Sequence, residues 1–179
     1  MIGYRVTKYN PRFRDRWGAY PDDEWTCPSQ IGDVVGGLEL TLDVYMAAEQ
    51  AYVDVALAFW GAAGHPPLTV RGLEDYREPP YPFPEQLAHI AREAEVFEGC
   101  EVSDRQMVAR LVRLNLRTLV WCRLEAASGF YIHFSYDYYM YIGGVQVNDR
   151  INHRADRSNL FIEQHPSPLE GVQGDEGHP

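Results

Sequence analysis

A histidine, a serine and an aspartate fall at alternate positions in the segment FYIHFSYDYYMYI, residues 130–142. In a regular strand Tyr131, His133, Ser135 and Asp137 share one face, and Phe130, Ile132, Phe134 and Tyr136 share the other. A histidine beside an acid and a hydroxyl is the raw material of proton transfer. The same residues also make a plain hydrogen-bonded pair, His133 with Asp137, on a solvated sheet face. The sequence favours that second reading, because no GxSxG, GxxxxGK[ST], HExxH, GxGxxG or CxxC pattern accompanies them. No catalytic residue is assigned, and substitution of His133 is expected to cost little stability.

Two other clusters could bind rather than react. Asp22, Asp23, Glu24 and Trp25 put three carboxylates beside an indole. A metal would need further oxygen ligands in fixed register, which the spacing does not supply; a basic protein partner needs only the charge and the ring. Arg12, Arg14, Arg16 and Trp17 alternate cations with aromatics, together with Tyr9 and Phe13. Guanidinium groups clamp phosphate and aromatic rings stack bases, which is how single-stranded RNA is held. The six histidines show no metal-ligand spacing, and Cys27, Cys100 and Cys122 are far apart and odd in number. No metal, no cofactor and no disulfide framework is expected.

The elements that must carry these clusters follow from periodicity. Ile2, Tyr4 and Val6 alternate with Gly3, Arg5 and Thr7, a first strand. An irregular stretch to Gly37 follows, punctuated by Asn10-Pro11, Trp17-Gly18 and Tyr20-Pro21. Thr41 caps a long helix with Leu42, Tyr45, Met46, Val53, Ala56, Leu57 and Trp60 on its apolar stripe, broken only by Glu49. Leu68–Leu73 reads as a short strand, 85–97 as a second helix with Phe97 inward, and a third helix starts after Ser103 or Asp104. Thr118–Glu125 and the segment from Phe130 form a hairpin that is expected to be the spine of the fold, and Asn159–Gln164 a last strand. The expected class is α+β, an antiparallel sheet with about three helices packed on one face. Residues 1–164 form a single domain and 165–179 a flexible tail.

Charge narrows the function. The chain of 179 residues carries a formal net charge of −10, and Lys8 is its only lysine. From Met1 to Trp17 there are five cations and one acid; from Gly18 to Val70 there are eight acids and neither Lys nor Arg. Such asymmetry is either a field presented to a partner or two segments that neutralise one another. The whole-molecule charge repels phosphate, so diffuse nucleic-acid or membrane binding is disfavoured. No window is apolar enough to span a membrane, and the start of the chain lacks a signal-peptide run, so a cytoplasmic location is expected.

Three stretches, YRVTKYNPRFRDRWGAYPDDEWTCPSQIG, WCRLEAASGFYIHFSYDYYMYIG and LFIEQHPSPL, occur in this order. Together they resemble a family of small uncharacterised bacterial proteins, usually called hypothetical and sometimes loosely labelled RNA-binding. The resemblance implies no catalytic residues. The sequence therefore points to a small acidic binding protein, of the inhibitor or immunity type, that masks a basic protein partner such as a nuclease toxin through Asp22, Asp23, Glu24 and Trp25. The alternative is an RNA-binding protein using Arg12, Arg14, Arg16 and Trp17.

Overall fold

A computed structural model of the chain describes residues 2–17, 20, 24–77, 84, 87, 89 and 95–169. The described strands are β1 (Gly3–Thr7), β2 (Val34–Val35), β3 (Leu38–Glu39), β4 (Leu68–Asp75), β5 (Glu101–Val102), β6 (Val120–Glu125), β7 (Tyr131–Phe134), β8 (Met140–Gly143) and β9 (Phe161–Gln164). The described helices of eight or more residues are α1 (Leu42–Ala62), α2 (Arg105–Leu116) and α3 (Asp149–Asp156). Seven strands make one sheet in the order β5-β4-β6-β7-β8-β1-β9, every neighbouring pair antiparallel. β2 and β3 pair only with each other.

Strand residues divide by parity. Val6, Val70, Cys122, Leu124, Ile132, Phe134, Met140 and Ile142 enter the core with the buried residues of all three helices. Arg5, Arg71, Arg123, His133 and Tyr141 point to the other face, outside that core. The class is α+β with the helices on one face of an antiparallel sheet. α1 is the central helix. The hydroxyl of Thr41 accepts from the Val44 N–H at 3.3 Å and Asp43 lies in the first turn, complementing the positive end of the helix. Tyr52, Val53, Val55, Ala56, Phe59 and Trp60 are all buried, so α1 is apolar around most of its circumference and must be enclosed. Asp104 caps α2 and Asn148 caps α3.

Glu49, the break in the apolar stripe, is buried in the core, where it pairs closely with Arg117 and, at 3.5 Å, with Arg113. Arg117 donates to both of its carboxylate oxygens at 2.6 and 2.7 Å and gives a third hydrogen bond, 2.7 Å, to the Leu87 carbonyl. The Tyr45 hydroxyl adds a bond of 3.2 Å to the same carboxylate. This pair joins α1 to the end of α2 and holds the segment that contains Leu87.

Several expectations are corrected. The run from Phe130 is not one continuous strand: it folds back on itself at 135–139, so β7 and β8 are separate and pair with each other. Asp137 and Tyr138 both adopt left-handed backbone angles, φ 56° and 60°. Such a conformation is costly for a bulky residue and persists only where its surroundings impose it. Here the Tyr138 hydroxyl donates to the Leu116 carbonyl at 2.9 Å, its own carbonyl accepts from the Tyr52 hydroxyl at 2.6 Å, and its ring meets Trp25 edge-on at 4.9 Å. The reversal carries Tyr136 away from α1, and it is 89% exposed. Phe97 is likewise exposed, with no helical structure at 95–97; of the helix expected over 85–97, Leu87 and His89 are described and helical, while 85, 86, 88 and 90–94 lie outside the described residues. α3 was not anticipated: its eight residues bury only Ile151 and Ala155, too short an apolar pattern to stand out. The segment at 165–169, assigned to the tail by composition, lies against the sheet, with the His165 N–H bonded to the Gly3 carbonyl at 2.9 Å.

Two substitutions test this account. Phe134→Ala removes a buried ring and leaves a cavity, and should lower stability by about 3–5 kcal/mol in urea titrations. Glu49→Gln leaves the Arg117 charge buried without its partner and should cost about 3–5 kcal/mol, whereas the double change Glu49→Met, Arg117→Met should recover most of that loss. Equal instability of the single and double variants would show that the pair holds the helices by more than mutual compensation.

Candidate functional site

The sites anticipated from sequence meet different fates. Asp22 and Asp23 lie outside the described residues. Glu24 is exposed and is engaged by the chain's own Lys8, whose ammonium donates to it at 2.7 Å. That ammonium also sits 4.1 Å from the centre of the Tyr9 ring and 4.2 Å from that of Trp25, a cation held between two aromatic faces. Burial lowers the Lys8 pKa against the opposing pull of Glu24 and Asp137. Trp25 is half-buried and packs its ring on Tyr138 and Tyr45. Glu24 and Trp25 are therefore parts of a wall that Lys8 closes, beside an open cavity of about 580 Å³ against α1.

The basic segment is divided. Arg14 is drawn into the protein: it pairs with Glu163 on β9, and its Nε donates to the Tyr20 hydroxyl at 2.8 Å. Arg5 reaches the same carboxylate at 3.0 Å. Burial works against the charge on Glu163, yet these bonds hold its carboxyl below the usual range. Arg12 and Arg16 remain exposed, and the Arg16 guanidinium lies 4.8 Å from the centre of the Trp17 ring, itself 79% exposed. Asn10 caps a single 3-10 turn at Pro11–Phe13 and so sets the direction of this arm.

His133 and Asp137 are not brought together. Asp137 belongs to the turn at 135–139, while His133 is 2% exposed within β7. Its Nε2 faces Glu125 Oε1 at 3.1 Å and its Nδ1 faces Ser167 Oγ at 2.8 Å. A carboxylate only accepts, so Nε2 carries the proton and Nδ1 accepts from the serine hydroxyl. Arg123 pairs with Glu125 at 3.3 Å, and Tyr131 stacks on the imidazole with ring centres 4.3 Å apart. The expected wet face instead holds a polar chain, Arg123–Glu125–His133–Ser167, buried except at the partly exposed Glu125, and the burial and two bonds of His133 argue against the expectation that it matters little to stability. Serine, histidine and carboxylate in line have the order of a proton relay. However, Ser167 Oγ also accepts the Leu169 N–H at 3.1 Å, and Ser167 is 6% exposed. The arrangement fastens 165–169 onto the sheet. Room for it comes from missing side chains: a Cβ on Gly143 would stand 2.4 Å from the Tyr131 ring. Ser167 was not legible as a partner because composition placed it in a tail.

The acidic block also divides. Glu24 is taken by Lys8, Glu49 by Arg117, and Asp54 by Arg154 at 3.3 Å. Asp33, Glu39 and Asp43 are exposed and pair with no cation among the described residues. They surround the β2–β3 hairpin and the start of α1, where Val34, Leu38 and Val44 are exposed as well, Leu38 by 78%. The hairpin is anchored where Leu40 enters the core and exchanges two backbone hydrogen bonds with Gly32 and Asp33. Its apolar residues were visible in the sequence, but a pattern of two residues per strand could not say which way they faced.

Among the described residues no group of three or more His, Cys, Asp or Glu side chains could hold a metal ion, and no helix is long and apolar enough to cross a membrane. Cys122 is buried, which pushes its thiol up to about 12. None of the family models, curated proteins or solved structures compared with this chain matches it.

Burial, aided by the nearby Arg123 charge, depresses His133 from 6.5 to about 4. The unfolded chain therefore takes up this proton first. The stabilisation is fully present above about pH 6.5 and declines as pH falls towards about 4, by roughly 3 kcal/mol in all. Thermal melts across that range should show the decline in the wild type and a flatter curve in His133→Asn. Parallel curves would remove the assignment.

Proposed function

We propose that the protein is an inhibitor of the immunity type that masks a basic protein partner such as a nuclease toxin. The contact surface in this reading is the β2–β3 hairpin with the first turns of α1. The observation that carries it is the conjunction of exposed Val34 and Leu38 with Asp33, Glu39 and Asp43, carboxylates that no cation among the described residues engages. Where Glu24, Glu49 and Asp54 are spent on internal pairing, these three are available to a partner. Opposite fields speed encounter, and apolar side chains removed from water at the centre of a contact hold it. A hairpin set on a buried Leu40 presents that surface with little ordering cost. Glu24 and Trp25 extend the contact only where a partner displaces or accepts the Lys8 lid.

A second reading has its own observation, the exposed Trp17 ring with the Arg16 guanidinium over it, beside exposed Arg12 and Phe13. A stacking platform flanked by cations suits single-stranded RNA.

The two readings separate by charge. Immobilised protein should retain a basic protein at low salt and release it at high salt, and that protein's nuclease activity should fall when the two are mixed. Reversal of the three free carboxylates (Asp33→Lys, Glu39→Lys, Asp43→Lys) should abolish retention and leave the melting temperature within a few degrees. Retention that ignores both salt and reversal counts against the proposal. Gel shifts with labelled single-stranded RNA test the second reading: a dissociation constant weaker than about 10⁻⁴ M, or one unaffected by Trp17→Ala, removes it.

A further inference from the structure

The open cavity beside Lys8 has a definite construction. Its floor is a stripe of α1 in which Ala47 and Ala51 stand where larger side chains would fill the space. Trp25 forms one wall, and Arg157, Asn159 and Leu160, in the turn between α3 and β9, form the other. Asn159 holds a left-handed backbone, φ 52°, and so shapes that turn at some conformational cost. About 580 Å³ lies within the range of small-molecule sites, on the order of 300–1,000 Å³.

The charges around it are nearly all committed. Lys8 is bonded to Glu24, and Asp54 accepts from Arg154 at 3.3 Å and from the Gln50 amide at 2.9 Å. Arg157 lines the cavity, is exposed, and has no ion-pair partner among the described residues. The site thus offers an indole wall, an alanine floor and one uncommitted cation. An apolar floor under a ring favours a flat ligand, and a planar guanidinium favours an anionic group that it can bind through two hydrogen bonds. The sequence held no sign of this site, since Trp25, Ala47 and Arg157 are far apart in the chain.

We propose that this cavity binds a small planar anion, an aromatic ring carrying a carboxylate, sulfonate or phosphate, with the ring on Ala47 and Ala51 against Trp25 and the anion on Arg157. None of Asp33, Val34, Leu38, Glu39 and Asp43 lines the cavity, so a failure to bind the probe would leave those residues of the proposed partner surface in place.

The probe is 1-anilinonaphthalene-8-sulfonate, whose fluorescence rises on leaving water. The full chain should bind it saturably at one site, and benzoate should compete while uncharged benzamide does not. Ala47→Trp fills the cavity from an exposed position and should weaken binding by about tenfold or more; Arg157→Gln should do so by about tenfold, or 1.4 kcal/mol. Both variants should melt like the wild type. Amide NMR shifts on probe addition should centre on Ala51 and Asn159. No saturable binding, equal binding by Ala47→Trp, or shifts centred elsewhere would overturn the proposal; equal competition by benzamide would overturn the role of Arg157.

Discussion

Tyr138 ties the sheet to two helices and to the loop that carries Trp25. It lies in the turn between β7 and β8, so its backbone belongs to the sheet. Its hydroxyl binds the last carbonyl of α2, its carbonyl is held by Tyr52 of α1, and its ring packs on Trp25 of the loop before β2. From there the contacts continue through Tyr45 to Glu49 and Arg117. A left-handed tyrosine is tolerated because its hydroxyl and its carbonyl are both bonded and its ring is enclosed by other rings. Without that enclosure the turn would have to be rebuilt with residues that accept positive φ, and the loop carrying Lys8, Glu24 and Trp25 would lose its seat.

The same constraint shapes the candidate surfaces. By fixing Trp25, it closes Lys8 between two aromatic faces and forms one wall of the cavity on α1. By ending β7 at Phe134, it leaves His133 within the sheet, where it can bond Glu125 on one side and Ser167 on the other, and sends Asp137 away towards Lys8. The sheet face free of helices is then covered by the chain's own ends: Arg14 reaches across to Glu163, and 165–169 crosses over Tyr131 and His133. The β2–β3 hairpin and the arm at Arg12–Trp17 lie at the periphery, with Leu38 and Trp17 exposed. Electrostatics sets the hairpin apart: Glu24, Glu49 and Asp54 pair with cations of the chain, whereas Asp33 and Glu39 pair with none among the described residues.

Much of the architecture was legible from the residues. The α1 stripe, the caps at Thr41 and Asp104, the alternation in β1 and the density of β-formers around Phe130 each reflect local rules, in which a residue's neighbours in sequence are its neighbours in space. The α+β class and the placement of the helices on one face follow from those patterns, because an amphipathic sheet and its helices must bury their apolar sides against each other. The arrangement of charge along the chain was also plain, including the long acidic block and the basic segment before it.

Which of those charges remain free was decided by tertiary structure. Glu49 and Asp33 belong to the same acidic block, yet one is buried against Arg117, 68 residues away in sequence, and the other is left in solvent. Likewise Ser135 and Asp137 were the natural companions of His133 by period, and the fold supplied Glu125 and Ser167 in their place. Period can assign a face only while a strand continues. Where the chain reverses, the partners are set by packing across strands and by segments that return from elsewhere, and pairings at such separations leave no local signature in the sequence.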